Sequence, residues 1–249
     1  MQKKTEGSAH PAHSPRRGVI IAVLLAAFVL IAVVAVLAGQ NRAEQNPAPV
    51  DTTPETVTEN PDFQPVSLGG GITVTRFCSY TGLFLEDGSD RLVTNIASVT
   101  VENTGSDCVQ WMVFSLRAAD GFYYEFELTT LLPGQKMIVL EKHASPFQPE
   151  DARFTPEIQS YAVFPEAPSL YEDVISLTVR DSHLIVKNIS DQTVTAGRVF
   201  YKHRSGDYLM GGITYMASFS ELRPGEEITL NPGHFNADES RLLFVTYAG

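Results

Sequence analysis

The chain is poor in the residues on which small extracellular scaffolds and metal sites depend. Two cysteines among 249 residues are too few for a disulfide-built fold or a four-cysteine zinc site. Basic residues are scarce too: 18 Lys and Arg stand against 29 Asp and Glu, for a formal net charge of -11. That balance excludes nucleic acid as a partner, because binding it depends on neutralising phosphates. Glycine (18) and proline (15) are too sparse for a fibrous or low-complexity chain. There is no Gly-x-Ser-x-Gly elbow, no His-Glu-x-x-His, no Cys-x-x-Cys and no phosphate loop. What is present, 43% hydrophobic and 10% aromatic residues, suits a globular chain with room for one large domain or two small ones.

Residues 19–38 are apolar without interruption, enough for about 30 Å of helix and one hydrocarbon thickness. Lys3, Lys4, Arg16 and Arg17 precede this run against a single Glu6. The positive-inside rule therefore places residues 1–18 in the cytoplasm and everything after the helix outside, in a single-pass membrane topology. A cleaved signal peptide ending near Ala38 is the rival reading, although a signal's apolar region is usually only about 7 to 15 residues long. Beyond the helix, 14 basic residues face 28 acidic ones. The extracytoplasmic part is thus more acidic than the whole.

From 40 to 66 the chain holds Pro47, Pro49, Pro54, Pro61 and Pro65 among Thr, Glu, Asn and Asp. Such a segment favours extended polyproline II and reads as a stalk, reaching up to roughly 80 Å at ~3.1 Å per residue. The remainder contains an internal repeat. Val101-Glu102-Asn103 followed by Val109 matches Val186-Lys187-Asn188 followed by Val194 at the same spacing. Each copy then reaches a Pro-Gly signal, Leu132-Pro133-Gly134 in one and Leu222-Arg223-Pro224-Gly225 in the other, and ends in a β-branched run. Within the copies period-2 alternation dominates, as where Phe122, Tyr124, Phe126 and Leu128 oppose Tyr123, Glu125, Glu127 and Thr129. Short strands separated by Asn, Asp-Gly and Pro-Gly turns predict an all-β protein, with one β-sandwich domain over 67–166 and a second over 169–249.

A strand ending in Val-x-Asn, a polar turn, a hydrophobic strand, a Gly-containing hairpin and then Leu-x-Pro-Gly resembles FxLYD-type and related immunoglobulin-like domains of bacterial envelope proteins. The first copy carries the resemblance through Asn103, Gly121 and Leu131 to Gly134; the second departs by seven extra residues before its Pro-Gly. The zinc ribbon often found ahead of such an anchor is absent here. The resemblance implies two tandem immunoglobulin-like sandwiches in a non-catalytic extracytoplasmic module.

Weighed singly, the chemistry-bearing residues are modest. His143, His183, His203 and His234 share no ligand spacing, so no metal, cofactor or catalytic site is expected, although folding could bring His203 and His234 together. Glu86-Asp87-Gly88-Ser89-Asp90 contributes either carboxylates to a calcium site or, as its Asp-Gly favours, a hairpin turn. Asn188-Ile189-Ser190 is formally a glycosylation sequon, but its repeat equivalent Asn103-Thr104-Gly105 is not, so the shared Asn reads as a turn residue. Cys78 and Cys108 form a disulfide if Leu83 to Glu86 is a separate strand that brings them to one end. They stay apart if 72–78 pairs directly with 91–102.

The copies differ in two places. The first carries some fifteen extra residues after Arg76, with Cys78, Tyr80, Phe84 and the acidic turn; the second has extra length at 207–219, where Tyr208 and Tyr215 flank Gly211-Gly212. Repeat insertions gather in loops and often carry binding. Tyr80, Phe84, Tyr208 and Tyr215 are therefore the candidate binding surface, with core filling as the alternative. The expected function is a membrane-anchored binding or scaffolding protein, not an enzyme, whose partner is a protein or an envelope polysaccharide. The alternatives are a structural subunit of a membrane or envelope complex and an envelope-polysaccharide hydrolase using paired carboxylates.

Overall fold

The computed structural model describes residues 56–248; the expected tail, the membrane helix over 19–38 and the linker up to 55 lie outside them. The described residues form fifteen strands: β1 (Thr56–Glu59), β2 (Val66–Gly69), β3 (Ile72–Phe84), β4 (Arg91–Asn103), β5 (Val109–Ala118), β6 (Tyr123–Leu131), β7 (Lys136–Leu140), β8 (Phe154–Val163), β9 (Ile175–Arg180), β10 (His183–Asn188), β11 (Ala196–Ser205), β12 (Tyr208–Met210), β13 (Tyr215–Phe219), β14 (Glu227–Leu230) and β15 (Ser240–Ala248). The described residues are all-β, and their sheets pack face to face.

In the N-terminal half β3, β4 and β7 form one layer, with β2 and then β1 following one another along the outer edge of β3. The facing layer has the order β6-β5-β8. Between them lies a core that includes Phe77, Phe114, Tyr124, Phe126 and Val139. Alternation explains it: Tyr124, Phe126 and Leu128 point inward and are buried, while Tyr123 on the other face is exposed; Phe122, expected on the inward face, lies in the turn before β6 and is exposed as well. Residues 56–66, within the expected linker, belong to the fold. Val57 and its flanking threonines suit an edge strand, and Phe63 is buried against Phe77 and Phe154.

The C-terminal half repeats the plan, with β9-β10-β14 facing a layer in which β11 pairs with β13 and β15. Its own core includes Leu184, Val186, Val199, Tyr201 and Val245. The shared Asn does the same work twice. Asn103 Nδ2 donates to the carbonyls of Asp107 and Leu131 at 2.8 and 3.1 Å, and Asn188 Nδ2 to those of Gln192 and Leu222 at 2.7 and 2.9 Å. The Gly of each Pro-Gly turn donates its N–H back to that Asn's carbonyl, Gly134 to Asn103 and Gly225 to Asn188. The Val-x-Asn and Pro-Gly signals recur together because they are two sides of one hydrogen-bonded joint. Both asparagines are 0% exposed, so the Asn188 amide is committed to the fold and closed to modification.

The halves are joined by hydrogen bonds as well as by the connecting chain. β12 pairs with β7 in parallel, Leu209 opposite Met137 and Met210 opposite Ile138, which merges layers of both halves into one nine-stranded sheet. Leu209 faces the N-terminal core, and Met210 faces a third cluster on the opposite side of the sheet with Tyr80, Phe84, Ile138 and Leu140. Phe244 of β15 also packs into the N-terminal core, stacked on Phe200 and edge-on to Phe164.

Candidate functional site

β3 and β4 pair along their whole length, from Ile72 opposite Asn103 to Phe84 opposite Arg91. No extra strand intervenes. Cys78 therefore sits mid-strand opposite Ser98, roughly 20 Å along β3 from the Ile72 end at ~3.3 Å per residue, whereas Cys108 lies beyond that end, just before β5. Both are free thiols, and burial pushes the Cys78 thiol up to about 12.

The long β3–β4 hairpin carries its acidic turn against the break between β12 and β13. These are the two segments in which the copies of the repeat differ. Gly211 and Gly212 let them meet: a Cβ on Gly212 would lie 2.6 Å from Glu86 Cα, and one on Gly211 would lie 3.0 Å from Val139 Cα. Gly212 also has φ of +60°. On the other side of the contact, a Cβ on Gly88 would lie 2.8 Å from the Ile213 side chain.

Lys202 closes this junction. Its side chain is 0% exposed, and its Nζ donates to Thr129 Oγ1 at 3.0 Å and to the carbonyls of Gly212, Gly211 and Ile213 at 3.0, 3.2 and 3.3 Å. Thr129 is also hydrogen-bonded to the Gly212 carbonyl and, at 2.8 Å, to Thr214 Oγ1. Burial lowers the affinity of Lys202 for its proton, and the nearby Glu86 opposes that. Four oxygen acceptors around one nitrogen call for the ammonium form. Glu86 is raised well above the usual carboxylate range by burial, an effect reduced by the Leu140 N–H that donates to its Oε1 at 2.8 Å and by the charge of Lys202.

The far end of the turn engages the C-terminal half through Asp90, whose Oδ2 lies 3.2 Å from His234 Nδ1. His234 stacks on Tyr215 with centroids 4.8 Å apart, and His203 meets the same ring edge-on at 5.4 Å. Folding thus brings the two histidines to either side of one tyrosine. Among the described residues no group of three or more His, Cys, Asp or Glu is arranged to hold a metal ion. Burial and the Asp90 carboxylate push the Tyr215 hydroxyl up to about 12.

All four aromatics singled out in the sequence face this junction. Tyr80 and Phe84 are buried, Tyr80 Oη donating to the Leu83 carbonyl at 2.9 Å and Phe84 lying under the Arg91 guanidinium at 4.3 Å. Tyr208 and Tyr215 are half-buried.

Beside the junction opens a cleft of 340 Å³ lined by Glu86, Asp87, Glu127, Thr129, Lys142, His143, Gly212 and Ile213. It continues onto the outer face of β5 and β6, where Trp111, Val113, Ser115 and Arg117 stand opposite Thr129, Glu127, Glu125 and Tyr123. Trp111 Nε1 donates to Glu127 Oε1 at 2.9 Å, and Lys142 Nζ lies 2.8 Å from Glu125 Oε1 and 3.4 Å from Glu127 Oε2. Those two carboxylates raise the affinity of Lys142 for its proton. Lys142 is set in place by its neighbour Glu141, a buried carboxylate that accepts the N–H groups of Glu125, His143 and Ser145.

Sequence reasoning passed over Trp111, Lys142 and Lys202. The alternation that put Glu125, Glu127 and Thr129 on one face was the available signal for the first two. For Lys202 the signal was a lone Lys inside the aromatic run Phe200-Tyr201-Lys202. No family model, curated protein or solved structure matches the chain.

Proposed function

We propose that the protein is a membrane-anchored extracytoplasmic binding or scaffolding protein without catalytic activity, in which two tandem immunoglobulin-like sandwiches stand on a single-pass helix over 19–38 and a Pro-rich stalk. The observation that carries this reading is the meeting of the two repeat insertions, with Lys202 buried between them. A joint made of a parallel strand pair and a four-acceptor ammonium holds two modules at a fixed angle, which is what a presenting platform needs and a hinged enzyme does not. The carboxylates beside the cleft favour binding over hydrolysis. Glu127 is committed to Trp111 and Lys142, and Glu86 to the Leu140 N–H. The matched Asn103 and Asn188 joints support two copies of one module.

External protease applied to intact cells tests the topology. It should release a fragment that begins within the stalk and contains both halves, while a tag on the N-terminus stays protected. Recovery of a soluble secreted form starting near Gly39, or a protected C-terminus, would overturn the anchored reading. The full chain in detergent micelles should in addition co-sediment with isolated cell envelopes of the parent organism; a chain that stays in the supernatant is not a binding protein of that envelope.

A further inference from the structure

Several cations of this acidic body lie beside carboxylates: Arg76 by Glu59, Arg91 by Asp87, Lys136 by Glu102, Lys142 by Glu125 and Glu127. Arg204 and Arg241 do not. Both line one cleft of 440 Å³ in the C-terminal half, and among the described residues neither guanidinium makes an ion pair, a side-chain hydrogen bond or a ring contact. The register brings them together. Arg241 of β15 stands opposite Lys202 of β11, and Arg204 follows two residues along β11, on the same sheet face as Lys202. Three cations thus occupy neighbouring positions of one face, where like charges cost stability unless an anion sits among them. The Lys202 ammonium is committed to its four oxygen acceptors, whereas the two guanidinia keep all their donors. Asp207 also lines the cleft but reaches neither of them as an ion pair. Ser240 Oγ accepts the Asn236 N–H at 3.1 Å, which leaves its own O–H to donate into the same cleft. Leu209 and Leu242 add an apolar wall.

We propose that this cleft binds the phosphate group of a small solute, Arg204 and Arg241 gripping it as two forks while the Ser240 hydroxyl donates a further contact. The site lies apart from the cleft beside Glu86, and its existence does not depend on the membrane anchor. Three considerations select the chemistry. A planar carboxylate is satisfied by one guanidinium fork, whereas a tetrahedral phosphate offers oxygens to two forks and a hydroxyl at once. The charge agrees: two guanidinia and the neighbouring Lys202 ammonium, less Asp207, leave two positive charges, against about -1.5 to -2 on a phosphomonoester at pH 7. The surrounding body limits the size. With 28 acidic and 14 basic residues beyond the apolar run it repels a polyanion, while a single phosphate is drawn in by the local cations and any small organic part rests on the two leucines.

The full chain in detergent micelles is titrated calorimetrically with inorganic phosphate, phenyl phosphate, benzoate and a long-chain polyphosphate, at constant ionic strength. Inorganic phosphate or phenyl phosphate should bind with one site per chain and at least tenfold more tightly than benzoate, and whichever of the two binds more tightly tells the free anion from an ester as the source. Arg204→Gln and Arg241→Gln should each weaken binding tenfold or more, and Arg241→Lys, which keeps the charge and loses the fork, should recover only part of it. Arg198→Gln, at another free arginine that lines a different cleft, should leave binding unchanged. The same variants give a second readout that does not need a bound ligand. At low salt and without phosphate Arg241→Gln should melt no lower than wild type, because it relieves repulsion, and the rise in melting temperature that phosphate gives the wild type should be absent from it. Exposed guanidinia are removed in these variants, so the circular dichroism spectrum should stay that of the wild type. No binding of either phosphate, equal affinity for benzoate, preference for polyphosphate, or a loss in Arg198→Gln as large as in Arg204→Gln overturns the proposal. Co-sedimentation with envelopes is read separately, so this site and the envelope-binding reading can each fail alone.

Discussion

Lys202 Nζ, from the C-terminal half, lies 3.0 Å from Thr129 Oγ1 of the N-terminal half, inside a pocket whose remaining acceptors are the carbonyls of Gly211, Gly212 and Ile213. A buried ammonium of this kind costs desolvation, and its hydrogen bonds offset that cost only while all of them are made. Lys202→Met should therefore leave the carbonyls and the Thr129 hydroxyl without their donor and lower unfolding stability by about 3–5 kcal/mol. Urea titration of wild type and variant measures it. The variant should also lose protection from hydrogen exchange first at residues 208–214.

Glu86 gives the junction a pH dependence of known sign. Its folded-state affinity for a proton is raised above that of the unfolded chain, so the stability it contributes is complete below the ordinary carboxylate range and is lost as pH rises from there through the folded value. Glu86→Gln removes this linkage while keeping an oxygen for the Leu140 N–H. Thermal melts of the two proteins should coincide in acid and separate progressively toward neutral and alkaline pH, with the variant the more stable.

Glycines with the same backbone sign should respond very differently to alanine. Gly134 has φ of +76° and open space around it, so Gly134→Ala should cost only the left-handed penalty, about 1 kcal/mol. At Gly212 the added methyl would meet Glu86 Cα at 2.6 Å as well, and neither backbone can retreat without opening the β7–β12 pair. Gly212→Ala should lower stability by several times as much, read from the shift in urea midpoint.

The cysteines should titrate as separate thiols even after the protein is purified under oxidising conditions. Intact mass should show no loss of two hydrogens. Cys108, half-buried before β5, should react with a thiol reagent in the native state, whereas buried Cys78, with its thiol pushed up to about 12, should react only on unfolding.

The strand faces could be read from the sequence because one neighbour decides them. Tyr124, Phe126 and Leu128 alternate with polar partners, and that alternation alone assigns the buried side of β6. The turn role of Asn103 and Asn188 was visible in the same way, since each ends a Val-x-Asn strand and bonds to the carbonyl four residues on. The junction was not visible. Lys202 meets Thr129 from one half and Gly211 to Ile213 from the other, and nothing local to Tyr201-Lys202-His203 reveals that convergence. Phe84 and Tyr80 carried an aromatic signal consistent with a core or a contact, and only the depth of the β3–β4 hairpin against β12 shows that they face the second copy. For the cysteines two strand counts were open, and the direct pairing of β3 with β4, with no strand between them, selects the one that keeps them apart.

The parallel pairing of β7 with β12 also orders the birth of the fold. A chain made from its N-terminus completes β1 to β8 while β7 still shows one unpaired edge, and that edge waits for a segment that follows only after β8, β9, β10 and β11. Such distant closure is slow, and an open strand edge in the interval templates pairing with other chains. A product truncated before β12 would keep that edge open for good, so chains that stop early should accumulate as aggregates, whereas the complete chain, with the edge closed, should not.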